Sequence, residues 1–281
     1  MNPGAESNHL PATDGRGHLC WAFTDRDEFA ARAREFMAEG LGEGKRVCLI
    51  APGTVEELVG DLRDLPDFDE QWDRGAVQVR SLDGVYGAGV VVDPDEQVRV
   101  YHAETQAAVA AGFTGLRVAA NTTELVRTPA QLAAFATYEH AVDRYMAAYR
   151  FEAMCAYSRP DLGSDVINRL AALHPRGNAD TVPFRLHGWG GGGAVALEGE
   201  LDLRSHDVFP WALGHVAGQW EPGEVVVDAR ELTFIDHHGL LRLAAQAERR
   251  GTTVVLRTRR FSPARMVDIL GLSTVRVEQV A

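Results

Sequence analysis

The 281-residue chain is defined first by what it lacks. It has no long apolar run, and its first residues, MNPGAESNHLPATDGRG, contain neither a basic start nor an apolar stretch, so neither a membrane span nor a leader is expected. Basic residues are in deficit: 28 Lys and Arg against 40 Asp and Glu give a net charge of −12. The shortfall lies in the first part, where residues 1–182 carry 17 basic and 28 acidic groups; residues 183–281 carry 11 and 12. Such a surface argues against phosphate-backbone binding and against anionic bilayers, so no nucleic acid and no membrane is expected as a partner. Cysteine is scarce. Cys20, Cys48 and Cys155 are odd in number and scattered in apolar, strand-like runs, which suggests packing thiols in a reducing, cytoplasmic compartment. Their spacing suggests no zinc site, and no metal or cofactor is expected.

The stretch that organises the chain is VVVDARELTFIDHHGLLRL, Val225 to Leu243. Val225 to Val227 form a β-branched strand, and Phe234-Ile235 leads into the turn Asp236-His237-His238-Gly239. Leu240, Leu243, Ala244 and Ala247 then recur at i, i+3, i+4 and i+7, one apolar stripe on a helix that stops at Gly251. A strand, a tight turn and a helix expose the turn's side chains and the helix's unpaired N–H groups, where an α/β unit is recognised or modified.

Elsewhere strands and helices alternate. Residues 1–17 are too poor in apolar groups to offset chain entropy and form a disordered tail. Strands are expected at His18–Phe23, Val47–Ile50, Val77–Leu82, Leu116–Ala120 and Phe151–Tyr157. Helices are expected from Thr24 or Asp25 to Gly42, and over Val55–Leu62, Val98–Ala111, Pro129–Ala148 and Leu162–Leu173. The loop from Ser81 to Gln97 is irregular, with three glycines and a proline. This order implies an α/β fold with a mainly parallel sheet and helices on both faces, in which ligands bind at the carboxyl ends of the strands. The polar run His174 to Thr181 places a linker over 176–182, separating a domain of 18–175 from one of 183–281. In the second domain GWGGGG, Gly188 to Gly193, lacks the Gly-Lys-Ser/Thr ending of a phosphate loop and joins two strand-like runs, which favours a hairpin turn. Ser205 is expected to cap a helix through Val216. Ser262 with Pro263 is expected to open the last helix.

The order ALEGELDLRSHD, VVVDARELTFIDHHGLLRLAAQAERRG, TTVVLRT, ARMVDILGL resembles a STAS domain of the anti-sigma factor antagonist type over about 183–279. That resemblance implies an α/β domain whose Asp-Ser-Ser/Thr-Gly turn is docked by an anti-sigma factor that is also a serine kinase, of the histidine-kinase-like ATPase type. Phosphorylation of a serine there blocks binding. It implies a docking surface at Asp202, Asp236, His237, His238 and Gly239. Here both hydroxyl positions are histidine, so phosphoryl transfer to a serine lacks its oxygen nucleophile. The imidazoles are open to three readings: a docking surface that takes no phosphate, a replacement without a role, or titration, metal ligation or phosphohistidine.

The first domain resembles the MEDS sensory domain of methanogen and methylotroph regulators over about 18–175. The resemblance rests on HLCWAFTDRDEFAARAREFMAEGLGEGKRVCLIAP, the Tyr86 loop, GFTGLRVAAN, the Tyr138-Glu139 helix, and AMCAYSR through LAALHP. It implies a RecA-like fold that senses a small organic molecule. The first turn, Phe23-Thr24-Asp25-Arg26-Asp27, has none of the glycines or the lysine that wrap phosphates, so the nucleotide site is degenerate and ATP hydrolysis is not expected. Candidate ligand contacts are His18, Tyr86, Glu124 and His174; for each the bland alternative is a packed or solvated residue.

Taken together, these features imply a non-enzymatic signalling regulator, with the oligomeric state, a homodimer included, left open. Two enzymatic alternatives stand beside it: a degenerate nucleotide-binding enzyme in the first domain, and a metal-dependent phosphoesterase at Asp-His-His with Asp202 and Asp228 as further ligands. The second requires a substantial following domain, and only 42 residues follow Gly239.

Overall fold

The structure, a computed structural model, describes residues 17–87, 89–179, 181–188 and 195–280. The expected tail, except Gly17, and the expected Gly-rich hairpin, except Gly188, lie outside them. Two α/β units follow one another.

The first unit holds β1 (His18–Phe23), α1 (Arg26–Gly42), β2 (Arg46–Ala51), α2 (Val55–Asp61), α3 (Phe68–Asp73), β3 (Val77–Ser81), α4 (Leu82–Tyr86), α5 (Pro94–Ala110), β4 (Leu116–Asn121), α6 (Pro129–Ala148), β5 (Phe151–Ser158), α7 (Arg159–Ala171) and β6 (Arg176–Gly177). Its sheet is parallel in the order β3-β2-β4-β5-β1-β6. Phe29, Phe36 and Met37 of α1 pack one face. Tyr101 of α5, Phe135 and Tyr138 of α6 and Ile167 of α7 pack the other. Sheet and helices thus agree with the expected α/β layering.

Local chemistry sets the boundaries. Asp25 caps α1, its side chain accepting from Glu28 N–H, and Thr54 and Thr128 form capping boxes with Glu57 and Gln131. Helix α5 starts four residues earlier than expected because Asp93 caps it and Pro94 takes its first position. The supposedly irregular loop contains α4, which buries Leu82 and Tyr86, four apart, on one face. The expected linker is tied down: Arg176 and Gly177 pair with Leu19 and Cys20, and the Asn178 side chain accepts from Ala22 N–H and donates to Ala22 O.

The second unit holds β7 (Phe184–Gly188), β8 (Val195–Leu201), α8 (Val208–Val216), β9 (Gly223–Ala229), β10 (Leu232–Ile235), α9 (His237–Arg250), β11 (Thr252–Thr258), α10 (Ser262–Leu270) and β12 (Val275–Gln279). Strands β10-β8-β9-β11-β12 are parallel, and β7 pairs antiparallel with β8. Strand β12, absent from the sequence expectation, closes the edge with VRVEQ, too polar to register as an apolar run. Two expected caps are corrected. Ser205 sits in a short 3-10 turn and donates to Asp202 O, and α8 starts after it. Ser262 is the first helical residue of α10, and Phe261 takes the cap position without a side-chain capping bond.

The two units share buried contacts. Ala136 of α6 and Ala172 and Leu173 after α7 join the apolar cluster of the second unit, beside Phe184, Leu186 and Leu213. Leu186 N–H donates to Ala172 O, and Arg185 Nη1 donates to Ala171 O (3.1 Å) and His174 O (3.0 Å). Gln219 Nε2 donates to Thr137 O at 3.1 Å, and Thr137 Oγ1 lies 3.2 Å from His215 Nδ1.

Candidate functional site

Two constellations of polar side chains stand out, one exposed on the second unit and one buried in the first. The exposed one is built by the end of β10 and the start of α9. Asp236 caps α9, Oδ1 accepting from Gly239 N–H at 2.8 Å. Its other oxygen lies 2.7 Å from His206 Nε2 and 3.9 Å from His238 Nδ1. Burial works against the Asp236 carboxylate, but the Gly239 N–H and His206 outweigh it and hold its pKa below the ordinary value. His237 and His238 are exposed, their rings 4.0 Å apart, and His206 packs on His238 at 4.5 Å.

Gly239 must lack a side chain. A Cβ there would come within 2.9 Å of Ile235 Cγ1 and 3.3 Å of Leu201 Cδ1, so glycine lets α9 sit tightly on the sheet. Ser205, His206, Phe209, His238 and Arg242 line a shallow groove beside it. Leu203, Phe234 and Leu241, next to or near this corner in sequence, are exposed. Asp202 lies in the loop that delivers His206, and its carboxylate accepts from Arg204 N–H and Arg204 Nε at 3.0 Å each. Asp228, offered as a metal ligand, is instead engaged by Arg230. Among the described residues, the group here able to share an ion is His206, Asp236 and His238, without Asp202 or Asp228. His206 was not legible as part of the site: it lies 30 positions from Asp236, and no spacing connects them.

The buried constellation gathers two of the four ligand candidates from opposite ends of the first unit. His18, at the start of β1, and His174, after α7, have ring centroids 4.1 Å apart. His18 Nε2 is 3.1 Å from Glu139 Oε2 and its Nδ1 is 3.2 Å from Asp143 Oδ1, so one ring reaches two carboxylates on successive turns of α6. Tyr157 Oη donates to Glu139 Oε1 at 2.5 Å, and the Cys155 thiol faces Glu139 Oε2 at 3.6 Å. Burial disfavours charge on His18, but Asp143 and Glu139 reverse that and raise it to about 9. For His174 burial wins, bringing it down to about 4; burial, then Glu139, pushes the Cys155 thiol well up. Across the junction, His187 Nδ1 lies 3.8 Å from Asp143 Oδ2 and its Nε2 3.1 Å from Glu198 Oε1.

The other two candidates make no hydrogen bond to this group, although Tyr86 is close enough for Cys155 and Glu139 to act on it electrostatically. Tyr86 is buried with its hydroxyl 3.1 Å from that of Tyr101. Glu124 is an exposed acid held bidentately by Arg127. Glu139 and Asp143 were not singled out as site residues by sequence; the signal available was two acids four apart on the buried stripe of a long helix.

A parallel α/β unit with a buried acid-imidazole centre, joined to a second six-stranded sheet that displays a capped helix corner, defines a two-domain protein of the sensory and STAS type. The comparisons agree. The chain belongs to the MEDS family (MEthanogen/methylotroph, DcmR Sensory domain), whose model matches residues 17–175. A second family model, Mlab, STAS domain, matches residues 187–278. No curated protein matches. The architecture supports a regulator similar to anti-sigma factor antagonists, with a MEDS sensory domain in front. No described helix is long and apolar enough to cross a membrane.

Proposed function

We propose that the chain is a non-enzymatic signalling regulator whose STAS domain captures an anti-sigma factor of the histidine-kinase-like ATPase type and is not switched by it. The docking surface comprises Asp202, Asp236, His237, His238, Gly239 and the first turn of α9. One observation carries this reading: the N-terminal corner of α9 is capped and exposed, with imidazoles where a serine hydroxyl would have to stand. Leu203, Phe234 and Leu241, near this corner in sequence, are exposed and add apolar surface of the kind that a partner can bury. The MEDS domain supplies the input. A small organic ligand or a partner acts there, and the contacts through Ala136, Leu186 and Arg185 connect it to the STAS domain.

The phosphoesterase alternative is disfavoured by Asp202 and Asp228, each engaged by an arginine in place of a shared ion. A nucleotide-binding enzyme in the first domain is disfavoured by Asp25, which caps α1 at the turn where phosphates would sit. Capture is tested with the full chain as bait for purified anti-sigma kinases from the same organism, beside Asp236→Lys. The reading expects one such kinase to bind and the variant to lose it; equal capture by the variant places the contact elsewhere.

A further inference from the structure

We propose that His18, Glu139, Cys155 and His174 form a zinc site in the core of the MEDS domain. The four donor atoms all lie within 4.8 Å of one another, and all four side chains are buried. Glu139 Oε2 is 3.1 Å from His18 Nε2, 3.5 Å from His174 Nε2 and 3.6 Å from Cys155 Sγ; Cys155 Sγ is 3.8 Å from His18 Nε2. Four donors arranged tetrahedrally around zinc, at about 2.0–2.3 Å, stand about 3.3–3.6 Å from each other. The observed spacings bracket that range before any ion draws the donors in.

The donors are also turned the right way. His174 Nδ1 donates to Leu170 O at 2.8 Å, which leaves Nε2 as the lone-pair nitrogen, and that buried atom has no hydrogen-bond partner. His18 Nδ1 faces Asp143, so its Nε2 points into the same space, and Tyr157 Oη orients the Glu139 carboxylate. Three of the four ligands are thus each fixed from behind by a hydrogen bond, as metal ligands are. A buried imidazole nitrogen without a partner is costly, and a cation is what the surrounding lone pairs accept.

Charge and protons balance. On binding, the Cys155 S–H releases its proton to solvent, as does any proton held between His18 and Glu139. The imidazoles then bind as neutral donors, and the thiolate and carboxylate cancel the two positive charges. No electron is transferred. Two imidazoles, a thiolate and a carboxylate suit zinc, and four protein ligands leave no open position, so the site is structural and joins β1, α6, β5 and the segment that follows α7. The cysteine spacing gave no hint of this, because His18 and Cys155 are 137 positions apart.

The site is buried, so the ion enters as the chain folds. The full chain is therefore produced in zinc-supplemented cells, and zinc is measured by mass spectrometry before and after unfolding in guanidinium with a colorimetric chelator. The expectation is about one zinc per chain, retained against chelator while folded and released on unfolding. Chains grown in cobalt show thiolate-to-cobalt charge transfer; Cys155→Ser abolishes that band, and Cys20→Ser, altering a buried thiol outside the group, keeps it. Asp143→Asn, whose residue touches no metal, weakens binding by about 10–100-fold with the cobalt spectrum preserved. Folded protein that carries no zinc from supplemented cells, or a band that persists in folded Cys155→Ser, overturns the site.

Discussion

Asp236 holds His206 with one carboxylate oxygen at 2.7 Å and the Gly239 N–H with the other at 2.8 Å, so a single side chain fixes both the loop after β8 and the first turn of α9. Replacing Asp236 by Ala removes both bonds and is expected to cost about 0.5–2 kcal/mol, the usual range for a helix cap, in urea unfolding at neutral pH. Asp236 is ionised in the folded state to a lower pH than in the unfolded chain. Its contribution is therefore present above the ordinary carboxylate pKa and is lost as pH falls through the lowered folded value. The gap between wild type and Asp236→Ala should close in acid; a gap unchanged below pH 3 contradicts the assignment.

Gly239→Ala is expected to destabilise the STAS domain, because the new methyl meets Ile235 and Leu201 closer than van der Waals contact. Away from a packed surface the same change in a helix would gain about 1 kcal/mol; here overpacking should reverse the sign and cost about 1–3 kcal/mol. Chemical denaturation measures it, and a stabilised variant would show that α9 lifts easily from the sheet.

The junction yields a third expectation. Arg185 donates to two carbonyls at the end of the MEDS domain; Ala171 O also accepts from His174 N–H, so Arg185→Ala strands His174 O, at a cost of about 1–3 kcal/mol. Calorimetry should show one unfolding transition in the wild type and two in the variant. Two transitions already in the wild type would mean that the shared contacts do not couple the domains.

His215 sets a pH dependence at that junction. Burial lowers its pKa below the ordinary 6.5, so the unfolded chain binds a proton there that the folded chain refuses. Stability should fall as pH drops from about 6.5 toward the lowered folded value, and His215→Gln should flatten that slope. An identical slope in the variant would assign the effect to other groups.

Much of this architecture was legible along the chain because apolar periodicity and capping residues are local signals. Helix α6 was bounded by Thr128 and Pro129, and α9 by the Asp236 turn and Gly251, whose φ of 64° only glycine takes readily. Strand β12 was missed because an edge strand needs little apolar surface, and β6 because two residues carry no pattern. The exposed corner at the start of α9 was visible as Asp-His-His-Gly, yet His206 was not, since it arrives from a separate loop. The buried centre was half visible: His18 and His174 were named, whereas Glu139, Asp143 and Cys155 resembled helix and strand packing until the fold brought them together.

The central claim is capture without a phosphoryl switch. The most direct measurement incubates the full chain with the proposed anti-sigma kinase partner and magnesium ATP, then follows intact mass, under conditions that preserve phosphohistidine, alongside complex formation. The account predicts a persistent complex and no added phosphoryl group. Gain of one phosphoryl group at the Asp236–Gly239 turn, with release of the kinase, would contradict it.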